Sequence, residues 1–427
     1  MLTIVQADGT AERKQIEAMR IRAAEKNAGI DRSAAEIMEA VRIRGYEAVR
    51  EYSLKFDNAE PREIPLEELK TAAERIPTEL LNSLRKSAEN IKAYQSELLS
   101  TSRTWESPVS GGMVGQIVRG LSRVGIYVPG GRAAYPSSVL MNAVPAKVAG
   151  CQEIIMVTPP TENLNDAVLA AAWVAGVDRC IAVGGVQAVA ALTYGADWIP
   201  RVDKLVGPGN AYVSAAKRMA YGTLDIDMVA GPSEVLVIAD ETADPVSTAA
   251  DLLSQAEHDP MASAILLTTD QGIAEAVAEE IDRFIEKLPR TEIICQSIEN
   301  YGYIFVGETM DDLIDAANTI ASEHLEIITE NAFEVMTRIR HAGAIFLGSY
   351  SSEPLGDYYA GPNHILPTNG TARFFSPLGV DAFIKKSSII SYSKDALRRV
   401  HRDIEIFAEN EGLYAHANSI SVRFEEE

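Results

Sequence analysis

From Ser122 onward the chain alternates short, β-branched apolar runs with helical stretches, and this alternation constrains the fold more than any other feature. The runs read RVGIYV, EIIMVTP, CIAV, DKLVG, EVLVIAD, AILLTT, YIFVG and AIFLG. Strand–helix alternation implies mostly parallel sheet with helices packed on its faces. These eight runs exceed the strands of a usual single sheet. The stretch GTLDIDMVAGPSE, Gly222 to Glu234, breaks the alternation near its middle, so a boundary between two sheets is expected there.

Before Ser122 the segments AERKQIEAMRIRAAEKN, SAAEIMEAVRIRGYEAVREYSLKF and LEELKTAAERI space apolar residues three and four apart, the helical period. After GAIFLG the chain becomes rich in Gly, Pro, Ser and Tyr, then ends in the helical run KDALRRVHRDIEIFAEN. The expected class is α/β. A helical region spans 1–120, parallel-sheet units span 121–232 and 233–378, and a small segment spans 379–427.

Three strand ends of the first sheet run into glycine turns: YVPGG from Tyr127, VGGVQ from Val183 and VGPGN from Val206. In a right-handed parallel sheet such turns converge at the carboxyl edge, where ligands bind. Glycine admits a close backbone approach and a helix N-terminus offers free N–H groups, so a nucleotide suits this edge. No G-x-G-x-x-G fingerprint is present, because GPGNAY has tyrosine at the third glycine position. Tight turns with no ligand would read the same way.

Charge narrows the candidates. The 427 residues carry a formal net charge of -22, which disfavours nucleic acid and anionic membranes as partners. The longest apolar stretches fall short of the roughly 20 residues a membrane span needs. No apolar leader follows basic residues at the start, so a cytoplasmic location is expected. Cys151, Cys180 and Cys295 are few and far apart, so any metal must use nitrogen and oxygen ligands.

All six histidines fall late in the chain. His341 and His401 sit in charged helical contexts and read as surface. In LLSQAEHDP, Gln255 and His258 lie three apart, a spacing that brings two side chains to one helix face and to one ion. A polar helix end stopped by Asp259-Pro260 explains that strip more simply. In ASEHLEI, Glu323 and His324 fall between a helical run and a strand-like run. At such a junction both side chains can reach one pocket, an imidazole proton acceptor beside a carboxylate. The loop GDYYAGPNHILPT holds Asp357 and His364, and the tail EGLYAHANSI holds Glu411 and His416.

Together YVPGG, GPGNAYV, GPSEVLVIAD, DLLSQAEHDP, SEHLEI, GDYYAGPNHILPT and EGLYAHANSI resemble the histidinol dehydrogenase family, in family order from about Arg123 to Arg423. The resemblance implies two incomplete Rossmann-like domains with small extra segments, and a homodimer whose C-terminal segment completes the partner's site. It implies Zn2+, one per subunit, on Gln255, His258, Asp357 and His416. It implies NAD+ contacts at Tyr127, Gln187 and Asn210, with His324 as general base and Glu323 activating water. L-histidinol would be contacted by Ser233 and Glu411 together with Gln255, His258, Glu323, His324, Asp357 and His416. The same parts would serve a related dehydrogenase of another polar alcohol, or a metal-dependent hydrolase.

Overall fold

The computed structural model describes residues 2–6, 10, 13–17, 28–130, 135–160 and 164–424. Its strands are β1 (Thr3–Gln6), β2 (Arg62–Ile64), β3 (Arg103–Glu106), β4 (Met113–Gly120), β5 (Arg123–Tyr127), β6 (Glu153–Thr158), β7 (Arg179–Ala182) and β8 (Lys204–Val206). Then follow β9 (Asp225–Ile226), β10 (Glu234–Ala239), β11 (Ser263–Thr268), β12 (Gly302–Val306), β13 (His324–Ile328), β14 (Ala344–Leu347) and β15 (Ile384–Ser391). One compact unit comprises Met1–Leu98 and Leu121–Phe383, and a second comprises Leu99–Gly120 and Ile384–Glu427.

The first unit contains two six-stranded sheets, confirming the α/β class. One runs β2-β7-β6-β5-β8-β9, parallel except for the antiparallel edge strand β2. The other runs β1-β12-β11-β10-β13-β14 and is parallel throughout. In each, successive strands step outward from a central strand in one direction and then in the other. The order therefore reverses between β5 and β8 in the first sheet, and between β10 and β13 in the second. Strands such as EVLVIA and SAILLT have no polar face because helices cover both sides of a parallel sheet.

The N-terminal region is helical, as its apolar spacing predicts, and also contributes strands. It holds the helices Ala28–Arg44, Tyr46–Asp57, Leu66–Arg75 and Thr78–Leu98, but also four strands. β1 adds to the second sheet beside β12, β2 adds to the first beside β7, and β3 and β4 pair with each other. Strands of three or four residues carry too few positions to display a period. The partners of β1 and β2 are distant in sequence, so no local pattern announces those two strands. The first helix packs Ala34, Ile37, Met38 and Val41, and the second Ala48 and Val49, into the same core as Val186 and Val189, against the helices Gly185–Tyr194 and Ala211–Ala220 of the first sheet.

The second unit pairs β15 with β4 and β4 with β3, all antiparallel, and adds the helices His401–Asn410 and Tyr414–Ser421. No helix among the described residues is long and apolar enough to cross a membrane. Cys151, Cys180 and Cys295 are free.

Candidate active site

Two edges of the first unit gather the predicted residues. The carboxyl edge of the first sheet brings the glycine turns together. The amide of Gly185 donates to the Tyr127 hydroxyl at 3.0 Å, joining the turns after β5 and β7. Gly207 has φ +109°, and a Cβ there would stand 2.2 Å from the Tyr127 carbonyl oxygen, so only glycine lets the β8 turn lie against β5. Asn210 caps the helix Ala211–Ala220, its Oδ1 accepting from the amides of Tyr212 and Val213 at 3.1 Å each. The cap occupies Oδ1 and leaves the Nδ2 donor. Gln187 is buried in the first turn of the helix Gly185–Tyr194.

The metal and acid–base candidates lie on the opposite edge of the other sheet, the amino edge, where β10, β11 and β13 begin. Asp244 accepts from the Ser247 amide and Pro245 starts the helix Pro245–Ala256, which carries Gln255 to its last turn. The helix ends at Ala256, and the His258 amide donates to the Gln255 carbonyl at 3.1 Å in the turn that follows. Glu323 and His324 do sit at a helix–strand junction. The helix Met310–Ile320 ends in Ala321, a fully buried alanine at φ +55°, a left-handed conformation costing about 1–2 kcal/mol without glycine. β13 then starts at His324, in register with Val235 of β10.

This junction fixes the His324 tautomer. Its Nδ1 lies 3.2 Å from the Glu234 carbonyl oxygen, which can only accept, so Nδ1 carries the proton. In the neutral ring Nε2 is then the lone-pair nitrogen; it is buried and has no hydrogen-bond partner among the described residues. Asp357 Oδ1 lies 3.7 Å from it, beyond hydrogen-bond range. Glu323 Oε2 lies 3.7 Å from Nδ1 and accepts from the Glu234 amide at 2.9 Å. One backbone residue, Glu234, therefore positions both members of the pair.

A residue absent from the sequence reading completes the cluster. Glu353 and Asp357 lie four apart on the short helix Glu353–Tyr358, hence on one face. One ligand atom from each of His258, Glu353 and Asp357 comes within 4.8 Å of the others, a group able to hold a metal ion. With its nitrogen turned to Glu353, the Gln255 amide donates to Oε1 at 2.6 Å and its oxygen accepts from the Glu234 amide at 2.9 Å. Both ends of the amide are satisfied in that orientation alone. An imidazole, two carboxylates and an adjacent amide suit a borderline cation such as Zn2+.

The electrostatics favour a cation as well. Burial pushes the Glu323 carboxyl up to about 8 and that of Glu353 up to about 7. Burial, with Asp251 beside it, pushes Glu326 up to about 9. Burial also disfavours charge on His324, but Glu323, Glu353 and Asp357 overcome it and raise the imidazole to about 10. Asp357 is held below the usual carboxylate range despite its burial, because His324, His364 and His258 surround it. So many buried carboxyl groups around one point demand positive charge, from protons or from a metal ion.

His364, in the loop after the helix Glu353–Tyr358, is a further neighbour of Asp357. It is held below its ordinary value chiefly by burial; its Nδ1 donates to the Asp357 carbonyl at 3.1 Å, and its Nε2 lies 3.4 Å from the Ser138 hydroxyl. Asp357 is thus braced from outside the cluster. Ser233 directly precedes Glu234 and is partly buried. Glu411 and His416 belong to the second unit, both exposed, at the C-cap of one helix and within Tyr414–Ser421. The cluster in the first unit is built without them.

A cavity of about 960 Å3 opens beside the cluster. Its wall includes His324, Asp357 and His364, and also Asp227 and Met228, which follow β9 of the first sheet. The cavity thus joins the amino edge of one sheet to the carboxyl edge of the other.

A family model described as histidinol dehydrogenase matches residues 20–424. Histidinol dehydrogenase from Clostridium acetobutylicum is 50% identical over 428 residues, 99% of each chain. That of Listeria monocytogenes is 50% identical over 401 residues, 93% of this chain and 94% of the relative. The crystal structure of histidinol dehydrogenase from Elizabethkingia anophelis superposes with a TM-score of 0.94 at 36% identity, covering 100% of this chain and 98% of that one.

Proposed function

The chain belongs to the histidinol dehydrogenase family, and we propose that it oxidises L-histidinol to L-histidine through L-histidinaldehyde, using two NAD+ and one Zn2+ per subunit. When bound, NAD+ would accept a hydride in each oxidation, and Zn2+ held by Gln255, His258, Asp357 and His416 would supply Lewis acidity that anchors the substrate. The observation that carries the reading is the His324 ring: a backbone carbonyl holds Nδ1–H, and a buried Nε2 lone pair faces the cavity.

His324 Nε2 takes the hydroxyl proton of the alcohol as its C–H hydride leaves, giving the aldehyde. Glu323, in its carboxylate form beside that ring, takes a proton from water as the water adds to the aldehyde carbon, and the carbonyl oxygen takes the proton that His324 holds, giving the hydrate. The second hydride leaves the hydrate as His324 takes the proton of a hydrate hydroxyl, and the carboxylic acid forms. Each oxidation releases one proton to His324, which must pass it on before the next. Burial serves this sequence by keeping bulk water from the reacting carbon until one molecule is activated.

Ser233 and Glu411 are assigned to the substrate, and Tyr127, Gln187 and Asn210 to the nucleotide. Glu411 and His416 lie on a C-terminal segment outside the first unit, which agrees with their acting in a homodimer across the subunit boundary. The test is stoichiometric: purified protein given limiting L-histidinol and excess NAD+ yields two NADH per histidinol. One NADH per histidinol, with aldehyde accumulating, refutes the two-step reading.

A further inference from the structure

Gln187 is 1% exposed and half-satisfied. Its Nε2 donates to Asp57 Oδ2 at 3.3 Å, while its Oε1 has no hydrogen-bond partner among the described residues. Oε1 lies on the side of the Gly185 turn, where a Cβ would stand 2.7 Å from it. The Gly185 amide is already taken by the Tyr127 hydroxyl. This turn therefore presents a buried acceptor, a group that a ligand's N–H or O–H can satisfy.

Asp57 is placed unusually for a carboxylate. It ends the helix Tyr46–Asp57, where backbone carbonyls point outward and the helix dipole disfavours an anion. It is half-buried, burial holds its carboxyl above the ordinary range, and it forms no ion pair among the described residues. The Gln187 amide is its side-chain partner. A carboxylate only accepts, so facing it selects the NH2 end of the amide and turns Oε1 the other way.

We propose that Asp57 is a positioning residue of the dinucleotide site, its carboxylate locking the Gln187 amide so that Oε1 accepts from an amine or hydroxyl of the bound nucleotide. This rests on the reading of Tyr127, Gln187 and Asn210 as nucleotide contacts. It adds a residue from the N-terminal helices, a region to which the family motifs in this sequence assign no role. The chemistry required of the ligand is a hydrogen-bond donor, which the ribose hydroxyls and the adenine amine of NAD+ both supply.

The test measures NAD+ binding to the full-length protein by calorimetry without substrate, beside steady-state kinetics. Asp57→Ala is expected to weaken NAD+ binding about tenfold, the loss of one well-oriented hydrogen bond, leaving kcat at saturating NAD+ and the histidinol KM within about twofold. Asp57→Asn keeps an acceptor for Nε2 and recovers most of the affinity. Gln187→Glu removes the donor and sets two carboxylates face to face; combining it with Asp57→Asn exchanges donor and acceptor and recovers affinity relative to Gln187→Glu alone. A merely structural contact would not produce that recovery, so its absence overturns the proposal. Asn210→Ala separates the two levels of inference. If it weakens NAD+ binding and Asp57→Ala does not, the positioning role is wrong and the nucleotide site stands. If neither weakens binding, the assignment of these turns to a nucleotide falls, and the role of Asp57 with it. A fall in kcat and a rise in histidinol KM alongside the NAD+ effect in Asp57→Ala would mark general damage and also overturn it.

Discussion

The turn after β8 is clamped by a buried ion pair, and breaking it gives a quantitative test of how the first sheet holds its ligand edge. Lys217 and Asp227 side chains are 4% and 1% exposed. Lys217 Nζ donates to the Gly207 carbonyl at 2.8 Å, and Asp227 Oδ2 accepts from the Gly207 amide at 2.8 Å. Asp227 Oδ1 also accepts from the Met228 amide at 2.7 Å. Both polar groups of Gly207, the residue pressed against Tyr127, are thus held by the two partners.

Lys217→Met removes the cation and strands a buried carboxylate. Removing one partner of such a pair costs about 3–5 kcal/mol. Two backbone amides still solvate Asp227, so the expected cost lies at the lower end, about 3 kcal/mol. Adding Asp227→Asn removes the stranded charge while keeping an acceptor, so the double variant should recover about 1–2 kcal/mol of that loss. Urea unfolding followed by circular dichroism reads the cost from the shift in midpoint at unchanged slope. NAD+ affinity should fall in Lys217→Met, because the Gly207 turn loses its tether. A cost under about 1 kcal/mol, or a double variant less stable than Lys217→Met, would refute the clamp.

His324→Gln should lower kcat about 10²–10⁴-fold. With neutral His324 as the proposed active form, the rate of the unsubstituted protein should rise with pH; Glu323, Glu353 and Asp357 raise this imidazole, so the limb should lie above ~6.5. A pH–rate profile of His324→Gln that keeps the limb contradicts the assignment. Glu353→Gln should weaken Zn2+ binding about 10–100-fold, in competition with a chromophoric chelator, whether Glu353 ligates the ion or orients Gln255; unchanged affinity would exclude both. Mixing inactive His258→Ala and His416→Ala subunits should restore activity if the C-terminal segment serves the partner's site. No recovery after demonstrated subunit exchange means it acts within its own chain.

The sequence displayed the parallel sheets because their strands are unbroken apolar runs between helices. It displayed the glycine turns because close backbone approach leaves a compositional mark. β1 and β2 were hidden, since three- or four-residue edge strands have no readable period and pair with remote segments. Glu353 was hidden in SSEPLGDYY among turn-forming residues, although its spacing of four from Asp357 was the available signal. Gln255 and His258 illustrate a mixed outcome. The strip is a helix end, and the same end delivers both side chains to the carboxylates of Glu353 and Asp357. Nothing local could reveal that Glu234 orients Glu323 and His324 together, because its carbonyl and amide do so through the pairing of β10 with β13.

The two sheets share a strand order but not an edge of use. In the first, the candidate nucleotide residues follow the carboxyl ends of β5, β7 and β8, as open parallel sheets ordinarily arrange their ligands. In the second, the cluster gathers at the amino ends of β10, β11 and β13. Had both sheets used their carboxyl edges, the cavity wall could not draw on the end of β9 and the start of β13 together, as it does here. Hydride transfer requires donor carbon and acceptor ring within contact distance, so a substrate site and a nucleotide site must open onto common space. The loop from Ile226 to Glu234 meets that requirement by leading from the carboxyl end of β9 directly to the amino end of β10. That short link carries Asp227, part of the Gly207 clamp, and ends at Glu234, which orients the acid–base pair. Lengthening it by inserted glycines should therefore depress kcat more than NAD+ affinity, since it disturbs the alignment of the two edges before it disturbs either edge alone.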